Sequence, residues 1–172
     1  MPSLHVERLV PAPGTFSLTV AEIDALLETV YLAMAADRKL TDDEIGVFAK
    51  IVTRVRALET PETSVYRRPG AEKPAALTVK ELNALLDDLV VRLDHASIED
   101  RLKVVTKALP SREGRLLAYR LASAIGIVDL DATKSERDFC DDLGEAFGIS
   151  EEEADELEQA ALSDSDPTID HA

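Results

Sequence analysis

Asp37-Arg38-Lys39-Leu40-Thr41-Asp42-Asp43-Glu44 follows the run Tyr31-Leu32-Ala33-Met34-Ala35-Ala36. Asp129-Leu130-Asp131-Ala132-Thr133-Lys134-Ser135-Glu136 follows Leu121-Ala122-Ser123-Ala124-Ile125-Gly126-Ile127-Val128. Asp, Thr and Glu keep the same spacing in both polar stretches. Each stretch separates a segment rich in small apolar residues from a new amphipathic one. A polar break of this kind, made twice, reads as a helical unit that has been duplicated and has diverged.

Working outward from the first break, Thr19 and Glu22 form a Thr-x-x-Glu capping box. Ile23, Leu26, Leu27, Val30, Tyr31 and Met34 then recur at helical spacing, which predicts a helix over 20–36 with one apolar face. After the break, Ile45, Phe48, Ile51, Val52 and Val55 predict a helix over 42–59. Pro61, Pro69, Gly70 and Pro74 mark 60–77 as a long loop, made basic by Arg67, Arg68 and Lys73. Leu77-Thr78-Val79-Lys80-Glu81-Leu82-Asn83-Ala84-Leu85-Leu86 repeats Leu18-Thr19-Val20-Ala21-Glu22-Ile23-Asp24-Ala25-Leu26-Leu27, capping box included, and opens a helix over 79–94.

Ile98, Leu102, Val105 and Leu109 predict a helix over 98–109 that Pro110 ends. Leu117, Leu121, Ile125 and Val128 predict one over 112–128. Beyond the second break, Phe139, Leu143 and Phe147 predict a helix over 134–147 with Gly148 as its C-cap. Ser150 and Glu153 open a last helix over 151–162. The fold expected is all-α: a single domain of about seven helices in two diverged halves. An irregular arm over 1–17, packing through Leu9 and Val10, precedes the helical domain of 18–162. An acidic, disordered tail over 163–172 follows it. The capping-box helices are offset by 59 positions and the polar breaks by 92, so this is no solenoid of fixed period.

Composition narrows the function. Lys and Arg total 19 against 34 Asp and Glu, a net charge of −15 over 172 residues. Nine of those acids, and no Lys or Arg, lie in 151–172. Repulsion from phosphates argues against nucleic-acid binding and favours cations or a basic protein partner. The one cysteine, Cys140, excludes an internal disulfide, fits a reducing cytoplasm, and beside Phe139 reads as a core residue. No signal peptide and no membrane span is expected. His5, His95 and His171 are far apart, and no phosphate loop, zinc motif or nucleophile motif is present, so no enzyme is expected. His95 falls at a helix C-terminus, where its charge suits the dipole.

A helix ending in Ala-Ala-Asp, a short loop and then Thr-x-x-Glu, once per half, resembles the tellurite-resistance TerB-like family. The family string is Ala-Asp-Gly-x-x-(Ser/Thr)-x-x-Glu. Asp37, Thr41 and Glu44 match it in the first copy, and Asp129, Thr133 and Glu136 in the second. The family's Gly is replaced by Arg38 and by Leu130, which do not share its tolerance of a left-handed backbone. The resemblance covers most of 18–162. It implies a cytoplasmic all-helical module of stress or tellurite-resistance systems, with acidic residues that bind a divalent metal and no established catalysis.

The residues themselves leave two readings open. Glu44 and Glu136 stand where a capping-box Glu belongs, and Asp37 and Asp129 where a carboxylate accepts from loop amides. Alternatively Asp37, Glu44, Asp129, Asp131 and Glu136, helped by Asp42 and Asp43, offer the hard oxygens that Ca2+ or another divalent cation takes. The second stretch is no EF-hand, because Lys134 stands where its Gly is needed and Cys140 where its Glu is needed. The alternative to a cation-binding TerB-like module is a helical adaptor with purely structural carboxylates. In it, the acidic C-terminal segment or the basic 60–77 loop engages a protein partner.

Overall fold

A computed structural model describes residues 9–11, 17–36, 41–59, 77–128 and 134–165, with side chains omitted at 126–128, 134–136 and 160–165. The chain is all-α, with seven helices among the described residues: α1 (Val20–Ala35), α2 (Asp42–Arg56), α3 (Val79–Asp94), α4 (Ile98–Ala108), α5 (Arg112–Val128), α6 (Lys134–Phe147) and α7 (Glu151–Ser165). Helix α7 runs through Ser165, so 163–165, expected in the tail, are helical; the rest of the expected tail, 166–172, lies outside the described residues. The basic residues of the 60–77 loop lie outside the described residues.

The caps explain the boundaries. Thr19, Thr41, Thr78, Ser97, Ser111 and Ser150 each accept a hydrogen bond from an amide three residues on. These hydroxyls satisfy donors that have no partner inside the helix. At Thr19 the box is complete, with Glu22 accepting from the Thr19 amide at 3.2 Å. Helix α6 stops because Gly148 adopts φ +70°. The Ile149 amide then reaches the Gly144 carbonyl at 2.8 Å and the Gly148 amide the Glu145 carbonyl at 3.2 Å, a Schellman pair.

One hydrophobic core joins all seven helices. Helix α1 is its axis, and it corrects the expectation of a single apolar face. Every residue from Ala25 to Met34 is buried, Glu28 and Thr29 included. A helix enclosed on all sides needs no polar face; Thr29 satisfies its hydroxyl by donating to the Ala25 carbonyl at 2.8 Å. Helix α1 packs most extensively on α5, and their N-terminal turns adjoin: a Cβ at Gly114 would lie 3.9 Å from Glu22 Oε2.

The helix pairs that flank the two polar breaks pack reciprocally, while α4 also packs on α1 and α7 on α5. Helix α1 packs on α2 and α5 on α6, while α2 also packs on α5 and α6 on α1. Thus the pairs α1–α2 and α5–α6, which flank the two polar breaks, occupy equivalent places around one another. Leu9 and Val10 are buried in the same core. A parallel bridge between Leu18 and Glu59, with the Leu18 amide donating to the Leu58 carbonyl at 2.8 Å, ties the entry of α1 to the exit of α2.

Candidate functional site

The first polar break ends at Thr41, whose Oγ1 accepts from the Glu44 amide at 3.1 Å and donates to Glu44 Oε1 at 3.2 Å. Only 2% of Glu44 is exposed, while Asp42 and Asp43 stand on the surface in the same first turn of α2. Three carboxylates in that turn suit the positive end of the helix dipole. Of the other residues singled out as metal ligands, Asp37, Asp129 and Asp131 lie outside the described residues. Glu136 falls in the first turn of α6, but its side chain is also outside them. Among the described residues, no three His, Cys, Asp or Glu side chains are grouped to hold a metal ion.

The carboxylates that the described fold does bring together are Asp24, Glu28 and Asp88, and two arginines neutralise them. Glu28 is the centre, with its side chain only 3% exposed. Arg101 of α4 grips both its oxygens, Nε to Oε2 at 2.6 Å and Nη2 to Oε1 at 2.7 Å. Arg92 of α3 donates to Glu28 Oε1 at 2.9 Å and holds Asp24 with both terminal nitrogens, at 2.9 and 3.1 Å. Its Nη2 also reaches Asp88, one turn back on α3, at 2.5 Å. Bonds from Asp24 and then Glu28 hold the Arg92 guanidinium protonated well above its ordinary range, against the opposing effect of burial. The bond to the Glu28 carboxylate also raises Arg101, against the opposing effect of burial.

This cluster joins α1, α3 and α4, and the sequence reading missed it. Glu28 lies inside an apolar run, which was the available signal: a charge there requires a partner. Its partners are 64 and 73 positions away, and no local periodicity reveals them.

A second polar contact sits between α5 and α7. The Tyr119 hydroxyl donates to Glu158 at 3.0 Å. Burial first, and the Glu158 carboxylate next, push that phenol well above its ordinary range. Arg112 and Glu153 form a surface ion pair between the same helices, which lowers the Glu153 carboxyl. Cys140 is half-buried, not the core residue expected. Phe139, Leu143 and Phe147 form the buried stripe of α6, and Cys140 lies at its edge.

A scan against family models, a search of curated proteins and a search of solved structures each find no match to this chain. Among the described residues, no helix is long and apolar enough to cross a membrane.

Proposed function

We propose that this protein is a non-enzymatic TerB-like module of a cytoplasmic stress-response or tellurite-resistance system, and that its two acidic loops, 37–44 and 129–136, bind a divalent cation. The observation that supports this reading is the reciprocal packing of α1–α2 and α5–α6, which makes the two Asp…Thr…Glu stretches equivalent links in two related helical pairs. Asp37, Glu44, Asp129, Asp131 and Glu136 offer the hard carboxylate oxygens that Ca2+ and Mg2+ prefer. Calorimetric titration with each cation, with thermal melts of wild type, Glu44→Gln and Glu136→Gln, tests it. Bound cation should raise the wild-type melting temperature, and each variant should lose part of that gain. No heat and unchanged melting with both cations would rule these ions out.

The second reading, a helical adaptor for a protein partner, is favoured by the burial of Glu44 and its bond with Thr41. Under it the wild-type protein ignores both cations, and Thr41→Ala costs about 1 kcal/mol through the lost cap alone.

A further inference from the structure

Helix α3 is less deeply buried than its neighbours, and ion pairs at its rim add to its leucine contacts. Of its 16 residues only Leu89 is buried. Leu82, Leu85, Leu86 and Leu93 are half-buried against the core, and Val79, Val90 and Val91 are exposed. By contrast α2, with 15 residues, buries Phe48, Ile51, Val52 and Val55 beside Glu44. Among the helices, α3 packs most on α4. Two arginines provide its ion pairs to α1 and α2 among the described residues: Arg92 with Asp24 and Glu28, and Arg56 with Glu81 at 3.2 Å.

The division of labour inside the charged cluster matters here. Glu28, the deeply buried member, already has a two-pronged partner in Arg101, which belongs to α4. Arg92 has its own two-pronged bond with Asp24 at the rim, where the Asp24 side chain is 45% exposed. Lifting α3 away therefore returns Arg92, Asp24 and Asp88 to water. It leaves Glu28 compensated by Arg101. Separating buried partners is costly because a bare charge stays behind; here none does.

We infer that α3 is a latched arm. It opens as a unit while α1, α2, α4, α5 and α6 stay folded, and the Arg92–Asp24 pair is the latch. Opening uncovers a continuous leucine face, Leu82, Leu85, Leu86, Leu89 and Leu93. This property is independent of whether the acidic loops bind a cation.

Hydrogen exchange read by mass spectrometry on the full chain tests the latch. In about 1 M NaCl the screening length falls to about 3 Å, short enough to weaken the rim pairs while the buried Glu28–Arg101 pair is spared. Amides of 82–94 should then exchange about tenfold faster or more, while those of α1 and α5 keep their protection. At low salt, Arg92→Gln and, independently, Asp24→Asn should reproduce that local acceleration. Exchange of α3 in step with α1 and α5 would overturn the inference. So would exchange that neither salt nor either variant accelerates. A chain that fails to fold as Arg92→Gln would overturn it as well, because Arg101 is held to suffice for Glu28.

Discussion

Glu28 is a carboxylate placed where a leucine would be the simpler choice. Its position is tolerable because Arg101 of α4 grips both its oxygens, and Arg92 of α3 adds a further bond. Glu28→Gln removes the charge and leaves Arg92 and Arg101 facing each other, so it should cost about 3 kcal/mol or more in urea denaturation. Arg92→Gln, with Arg101 still in place, should cost about 1 kcal/mol; equal losses in the two variants would refute the division between them. Tyr119 and Tyr31 make a second residue-scale test. Burial comes first in raising both phenols above the ordinary 10.0, with Glu158 adding to it at Tyr119 and Asp94 at Tyr31. The unfolded chain ionises these hydroxyls first. Their contribution to stability is therefore whole below about pH 10 and is lost as pH rises beyond it. An ultraviolet phenolate titration should show Tyr31 and Tyr119 ionising late, and Tyr119→Phe should soften the alkaline loss of stability. If both titrate like free tyrosine, their burial is wrong.

At the scale of elements, α1 and α3 share the stretch Leu-Thr-Val-x-Glu-x-x-Ala-Leu-Leu but not their surroundings. Both start at a Thr that accepts from the amide three residues on. Helix α1 then disappears into the core, while α3 lies on the outside with one buried side chain. The shared stretch fixes where each helix starts, since a cap satisfies local amides whatever the helix later packs on, but not how deeply it is buried. The C-terminal stop of α6 is equally local. Gly148 has open space around a built Cβ, so Gly148→Ala tests backbone strain alone and should cost about 1 kcal/mol in thermal or urea melts. No loss would mean that the turn relaxes out of the left-handed region.

For the whole molecule the governing fact is a net charge of −15. Self-repulsion on that scale opposes the compact state, and salt relieves it. Moderate NaCl should therefore raise the melting temperature of the whole protein. The same salt should loosen α3 in hydrogen exchange, because that helix depends on attraction between rim charges. Opposite responses in the two measurements would separate global charge relief from the local latch. A melting temperature that falls with salt would mean that attractive pairs, not repulsion, dominate the total.

The helices themselves were legible in the chain. Capping residues and three-four spacing placed all seven, and Phe48, Leu102, Leu121 and Leu143 were read correctly as interior. These features arise within one or two turns, so the information is local. Of the expected metal ligands only the Glu44 side chain falls among the described residues, and its cap with Thr41 was readable from the Thr-x-x-Glu string. Tertiary structure decided which helix sits at the centre. Periodicity assigned one wet face to α1, yet α5 and its neighbours close over every side of it. It also decided which charges meet. The partners of Glu28 come from α3 and α4, and α3 is kept outside by contacts that no stretch of its own sequence announces. A pattern along one helix shows that a surface is apolar or charged. Only the arrival of the other helices determines how much of that surface is covered, and by what.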